Sequence, residues 1–316
     1  MTTTTTNLCP PSHDWGRYND LLVERGDLLQ FLPRISAGFQ ALPTQNIDKD
    51  GRPLEYPDEL FQVLAYQRSS FYTPWRQLQG HANLLCHLLN VKVPHFSTIY
   101  RRCQDVTLDS LLGLTDFDDD APCPSKKQPE THCFDATGLK LSGPGEWLQK
   151  VHHPGTRKVW LKFHIDAIAP THEIRVHALT GSDVGDGPMF VPLLTKAKQK
   201  GPVGKALGDK GYDAKDHFEA CAKDHIVAGI LPKKNASTRA RGGPARAKVV
   251  WEIQKVGLKE WKKAIGYGER WVAERAFSIF KRVFGDKVRA REWDAIVQEV
   301  ALKVQVLNYY MKRLNE

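Results

Sequence analysis

The stretch Tyr267-Gly-Glu-Arg270-Trp-Val-Ala-Glu274-Arg-Ala-Phe-Ser-Ile-Phe-Lys281 constrains this chain more than any other. Tyr267, Arg270, Glu274 and Lys281 stand at offsets 0, 3, 7 and 14. At about 100° per residue those offsets fall on one narrow face of a helix. Val272, Ala276, Ile279, Phe280 and Val283 gather on the opposite face, which must be buried. Such a helix packs on a core and presents an acid, two bases and a phenol together. Taken alone, Arg270 and Glu274 also fit an ordinary i,i+4 pair on a solvated face, contributing about 0.3 kcal/mol. Two acids upstream, Asp135 and Asp209, favour a site over a solvated bridge.

Asp135 lies in the strand-like segment His132–Leu141, and Asp209 follows the short apolar run Val203–Gly208. An Asp after an apolar run and before a Gly is typical of a strand end facing a crevice. A first strand, a later strand end and a C-terminal helix can converge on one edge of a sheet. Three clustered carboxylates raise one another's pKa, and a hard divalent cation relieves that cost. Mg²⁺ takes one or two carboxylates per ion and keeps positions for water and phosphate oxygens. Two such ions about 3.5–4 Å apart can activate an attacking oxygen and stabilise a leaving one. Asp166, Asp183, Asp186 and Asp213 compete for the role. Asp183 and Asp186 sit in a glycine-rich turn, where helix capping is expected, and Asp213 is expected to cap a helix over 214–224.

Two domains are expected of 316 residues. A frayed tail is expected over residues 1–13, which contain the Thr2–Thr6 run. Residues 14–114 read as helical. Tyr18, Leu21, Leu22, Leu28 and Leu29 make a short amphipathic start. Thr73 reads as an N-cap with Pro74 at the first helical position, and Leu78, Ala82, Leu85 and Leu89 follow at helical spacing. After the break at Val93–Ser97, a helix capped by Ser97 carries Tyr100, Arg101 and Arg102. That pattern resembles a helix-turn-helix as much as an ordinary bundle with surface arginines. Residues 115–130 read as a linker. Residues 131–316 hold three sequential strands (132–141, 159–169 and 174–179), then a helix at 188–197, a strand at 203–208, a helix, and a strand at 226–231. A long amphipathic helix carrying Ile296, Val300, Val304, Leu307 and Met311 closes the chain. The fold class expected is α/β with a mixed sheet.

Apolar content of 41% and charged content of 26% mark a globular chain. The net charge is +9, yet residues 196–291 carry 24 Lys/Arg against 10 Asp/Glu. So basic a C-terminal half implies a polyanionic partner. The segment 233–248 holds Lys233, Lys234, Arg239, Arg241, Arg246 and Lys248 without an acid, and reads as a mobile loop tracking phosphates. Lys255, Lys259, Lys262 and Lys263 line a helix beyond it, with Trp251 and Trp261 interleaved as base-stacking or core residues. His152, His153 and His164 are expected at the surface or near phosphate. The six cysteines form no CxxC and no zinc spacing, so reduced packing thiols are expected. No run reaches 18 apolar residues, and no membrane span is expected.

The Tyr267-x2-Arg270-x3-Glu274-x6-Lys281 pattern matches in full a signature of bacterial insertion-sequence transposases of the DDE class. The chain most resembles the group named after insertion sequence five. Asp14-Trp15-x2-Tyr18-Asn19, Arg25-Gly26-Asp27-Leu28, Asp135-x-Thr137-Gly138-Leu139-Lys140 with Gly145-Glu146-Trp147, Asp209-x-Gly211-Tyr212-Asp213 and Pro232-Lys233-Lys234-Asn235 resemble further segments of that group. The resemblance implies a ribonuclease-H-like core with a mixed five-stranded sheet, preceded by an all-α, helix-turn-helix-like DNA-binding domain. It implies Asp135, Asp209 and Glu274 as ligands of two Mg²⁺ ions, which Mn²⁺ could replace. Arg270 and Lys281 would contact phosphates near the scissile bond, and Tyr267 would support them or touch the terminal nucleotide. The implied partners are double-stranded DNA, as transposon ends and target, and further copies of the chain in at least a dimer. A cytoplasmic, nucleoid-associated bacterial protein is implied. With 64 residues between Asp209 and Glu274, there is room for a loop but not for a large inserted β-domain. The alternatives are a silent or domesticated DNA-binding regulator and a hydrolytic nuclease of the same fold.

Overall fold

The computed structural model describes residues 15–114, 128–141 and 160–315. The N-terminal tail with Cys9 and Asp14, nearly all of the linker with Cys123, the Gly145-Glu146-Trp147 segment and His152-His153 lie outside the described residues.

Residues 15–114 are helical, as expected: α1 (Trp15–Gly26), α2 (Leu32–Gln45), α3 (Asp58–Phe71), α4 (Trp75–Leu88), α5 (Phe96–Arg102) and α6 (Asp109–Leu112). α3 is the central member, with Leu60, Phe61, Val63, Leu64 and Tyr66 fully buried. Two caps differ from the sequence expectation. Pro74, not Thr73, holds the N-cap position of α4, and the Thr73 carbonyl instead accepts from Arg68 at 2.7 Å. His95, not Ser97, caps α5, because its Nδ1 accepts from the Ser97 amide. An imidazole nitrogen there does the work usually given to an Asn or Ser oxygen.

The sheet begins as an antiparallel meander of β1 (Glu130–Leu141), β2 (Trp160–Ile168) and β3 (Ile174–Gly181). α7 (Gly187–Lys200), β4 (Val203–Gly208), α8 (Lys215–Lys223) and β5 (Val227–Ile230) follow. The order is β3-β2-β1-β4-β5, with β4 parallel to β1 and β5 parallel to β4. The mixed sheet has one strand more than the expected five. β6 (Lys287–Val288) pairs parallel with Lys140 and Leu141 of β1. Two residues carry no periodicity, so this strand leaves no sequence signal. β4 pairs with β1 only over Glu130–Cys133. Between Cys133 and Lys140, β1 is therefore paired with neither β4 nor β6, and the sheet opens there.

α9 (Pro244–Val256), α10 (Leu258–Ala264), a 3-10 turn at Tyr267–Arg270, α11 (Trp271–Phe284) and α12 (Trp293–Asn315) complete the chain. The basic loop is thus shorter than 233–248, since Pro244 opens α9 at a position where its missing N–H costs nothing. The single lysine-lined helix is two, broken at Gly257, whose φ of +86° a side chain would strain.

β1 alternates its side chains between two layers. Cys133 and Leu139 join Leu161, Phe163 and Ile165 of β2 under α11, where Val272, Ala273, Ala276, Phe280 and Phe284 are buried. Phe134 faces the other layer, with Phe190, Leu193, Tyr212 and Phe218. Of the five residues expected on the inner face of α11, Val272, Ala276 and Phe280 are buried, and Ile279 and Val283 pack partly buried against the same cluster. That cluster continues through Val300 and Leu307 of α12 into Leu60 and Leu64 of α3, so the helices of residues 15–114 share the core of the sheet. The Tyr66 and Tyr310 hydroxyls meet across this junction at 2.9 Å.

Candidate active site

The register of β1 on β4 sets the acids level. Cys133 pairs with Leu207 in the parallel ladder, and Asp135 and Asp209 lie two residues beyond on each strand. Asp135 sits where β1 loses its neighbour, and its Oδ1 accepts from the Ala136 amide at 2.8 Å. Asp209 follows β4 directly and caps the 3-10 turn Lys210–Tyr212, accepting from the Gly211 amide at 2.7 Å. The Tyr267–Arg270 turn closes over both strand ends. The Tyr267 hydroxyl donates to the Gly208 carbonyl at 3.1 Å, and the Cys133 thiol donates to the Glu269 carbonyl at 3.4 Å. Lys205 of β4 lies 3.8 Å from Glu269.

These ties aim Arg270 at the opening. Its Nη1 is 3.6 Å from Asp135 Oδ2, and its Nη2 donates to Glu274 Oε1. One guanidinium bridges an acid on the sheet and an acid on α11. Further along α11, Lys281 donates to the Thr137 hydroxyl on β1 at 2.6 Å. The stripe anticipated from sequence thus starts in a 3-10 turn and continues in an α-helix, with Tyr267 and Arg270 in the turn.

Burial raises the Asp135 pKa above its ordinary value. The Ala136 amide and Arg270 pull it down, and the charges of Asp209 and Glu274 push it up. The Tyr267 phenol is also raised, first by burial and then by Asp209, Asp135 and Glu274 against Arg270. All three carboxylates therefore act on one small region.

Could these residues hold a divalent cation? Among the described residues, no three His, Cys, Asp or Glu side chains stand as a ready metal cage. The donors are instead gathered around Arg270, the cation that now neutralises two of them. They are all hard oxygens, as Mg²⁺ and Mn²⁺ require. The one nearby thiol, Cys133, is pushed up to about 12 by burial, which keeps it protonated. The donor chemistry fits a hard divalent ion, provided that Arg270 yields its place.

The other candidates divide. Lys233, Lys234, Arg239, Arg241 and Lys248 are exposed, as a phosphate track needs. Arg246 is engaged elsewhere, donating to both carboxylate oxygens of Asp213 at 2.6 and 2.7 Å. Asp213 also accepts from the Lys233 amide at 2.8 Å. It does not cap the helix over 214–224, since Ala214 holds the N-cap position of α8. Arg101 is exposed, whereas Arg102 pairs with Asp58 and lies over the Phe61 ring at 4.6 Å. His164 is fully buried, not at the surface, because it belongs to the interior of β2, where it bonds Thr180 at 2.9 Å. Asp186 holds the N-cap position of α7 without capping it, and accepts from Lys162 at 2.9 Å. Trp261 is core and Trp251 is exposed. The four described cysteines are free and buried, as expected.

Sequence reasoning passed over the Lys281–Thr137 bond, the Gly208 carbonyl and a buried His132–Asp166 pair at 2.7 Å. Each joins residues far apart in the chain, where spacing carries no information.

A mixed sheet with helices on both faces, an acid on its first strand, a second acid level with it and a 3-10 turn running over both into a helix define a ribonuclease-H-like core. A family model described as "Transposase DDE domain" matches residues 126–309, more than half of the chain. A second model with the same description matches residues 23–144. The chain belongs to the DDE transposases, a family whose members cleave and transfer DNA. Among the described residues, no helix is long and apolar enough to cross a membrane.

Proposed function

We propose that this transposase binds the terminal inverted repeats of an insertion sequence and carries out cleavage and strand transfer with Asp135, Asp209 and Glu274 as ligands of two Mg²⁺ ions. The observation that carries the proposal is Arg270 held between Asp135 and Glu274, with Asp209 in register beside them. When bound, the ions would polarise the attacking oxygen and neutralise charge on the leaving one. The protein's own part is positional. Tyr267 and the 3-10 turn of residues 267–270 fix the end of β4 against β1. Arg270, released from its carboxylates, turns to a phosphate beside the scissile bond, and Lys281 exchanges the Thr137 hydroxyl for another. Water first takes the phosphorus at the transposon end and a 3′-oxygen leaves as a hydroxyl. That hydroxyl then attacks a phosphorus of the target strand, joining the transposon 3′-oxygen to it as the target's own 3′-oxygen leaves and takes up the proton.

The exposed basic residues of 233–243, with Lys248 on α9, supply the salt-dependent affinity for DNA. Glu274→Gln tests the proposal. The variant is exposed at this position and keeps its helix, so binding of end DNA is retained while Mg²⁺-dependent end cleavage falls by at least about 10³-fold. Unchanged cleavage would refute the assignment. Joining of the freed 3′-end to a target, with purified protein, separates transposase from nuclease.

A further inference from the structure

Three arginines stand around a cleft away from the acids. The cleft, of about 540 Å³, lies between α3, α5 and the start of α12, and Arg68, Arg289 and Arg291 line it. Two of them are fixed in place. Arg68 lies 3.9 Å from the centre of the Trp75 ring and donates to the Thr73 carbonyl at 2.7 Å. Arg289 lies 4.6 Å from the centre of the Tyr72 ring and donates to the Tyr72 carbonyl at 2.9 Å. Each bond uses one arm of a group with five N–H donors and ends on a neutral oxygen. Arg291 is exposed. Among the described residues, the arginines paired with carboxylates are others.

Two acids share the lining, Glu292 and Glu299. Glu299 is already neutralised. Its carboxylate accepts from the Arg289 and Ala290 amides at 3.0 and 2.8 Å and from Lys303, only 2% exposed, at 2.6 Å. Those bonds also brace the corner after β6 that carries Arg289 and Arg291. Three guanidiniums therefore face one remaining acid, Glu292. Rings and carbonyls that hold two like charges on one wall, with donors to spare, prepare that wall for an anion.

The surroundings favour a long anion over a small one. The far wall is α5, where Tyr100 is 38% exposed and Arg101 is exposed beside it, so the basic surface continues past the rim. The cleft also lies at a definite distance from the acids. Val288 of β6 pairs with Leu141, six residues along β1 from Asp135, which at about 3.3 Å per residue is about 20 Å. A duplex covers that distance in about six base pairs.

We propose that this cleft is a second DNA contact, in which Arg68, Arg289 and Arg291 donate to backbone phosphates of the end duplex about six base pairs from the bond being cut. The inference rests on the DNA-binding reading above and is independent of the metal ligands. A duplex gripped at both places has its scissile phosphate set against the acids.

The test places single methylphosphonates, each removing one backbone charge, at successive positions of end DNA. Affinity of the full-length protein is measured by fluorescence anisotropy for wild type, Arg291→Gln and the double variant Arg289→Gln/Arg291→Gln. Wild type is expected to bind about tenfold more weakly when a phosphate flanking the scissile bond is neutralised, and again when one about six base pairs away is. In the double variant the distant effect disappears and the effect at the scissile bond remains. Arg291→Gln, a change at an exposed side chain, lowers the slope of log affinity against log salt by about 1 and carries the test if the double variant fails to fold. Absence of a distant effect in wild type, or its persistence in both variants, overturns the inference. Binding of inorganic phosphate in the cleft without a distant effect on DNA marks a small-anion site and overturns it too. Indifference to every methylphosphonate, at the scissile bond as well, overturns the DNA-binding reading itself.

Discussion

Asp213 and Arg246 read in sequence as a helix cap and a DNA contact, and the structure pairs them with each other. The carboxylate is fully inaccessible and takes both guanidinium arms and a backbone amide. Burial opposes its charge, but the bonds from Arg246 and Lys233 hold its pKa below the ordinary value. The carboxyl thus stabilises the fold above its unfolded pKa, and that contribution is lost as pH falls through the lowered value. Arg246→Ala strands the charge and is expected to cost about 3 kcal/mol in urea unfolding. Arg239→Ala, on the surface, should cost under about 0.5 kcal/mol. Asp135 has the opposite sign. Its raised pKa means that its contribution is present below the unfolded value and lost as pH rises through the folded one. In chelator at neutral pH, Asp135→Asn is therefore expected to unfold at a higher temperature than wild type. A lower temperature would show that the pairing with Arg270 outweighs burial and repulsion. Neither sign is visible in a string of letters, because burial and partners decide it.

The elements differ in how much of them the sequence declares. α11 was legible from its amphipathic repeat, although the helical stretch was expected from Tyr267 and the α-helix starts at Trp271. β1, β2, β3 and β4 were legible within about two residues, because apolar runs between turn residues mark buried strands. The 3-10 turn at 267–270 was not, since offsets of three suit either helix. Nor was β6, whose two residues make sense only beside Lys140 and Leu141. For the candidate site, the three acids stood out by motif and strand end, but the guanidinium bridge and the Thr137 partner of Lys281 did not, because each joins residues more than 130 positions apart. The loop invites a test at this scale. Replacing Lys233, Lys234, Arg239 and Arg241 together with Ala should flatten the slope of log affinity for duplex DNA against log salt by up to about 3.6. An unchanged slope would remove the loop from the DNA track.

At the scale of the molecule, the helical and sheet regions are joined through α12. Leu64 of α3 and Leu307 of α12 belong to one cluster that also contains Phe163 and Phe280. Leu64→Ala and Leu307→Ala should each cost about 2–5 kcal/mol and leave a single unfolding transition by both circular dichroism and fluorescence. Separate transitions would restore two independently folding halves. The union also bears on function, since it would carry a DNA contact at the exposed face of α5 to a fixed distance from the acids. We propose Arg101 as such a contact, with Arg102 committed to Asp58. The central claim is that Arg270 holds the place of a cation between acids. It is tested most directly by anomalous diffraction from crystals of the transposase with Mn²⁺ and end DNA. The expected result is manganese bound by Asp135, Asp209 and Glu274, with Arg270 turned onto a phosphate. Manganese bound elsewhere, with Arg270 still bridging Asp135 and Glu274, would contradict it.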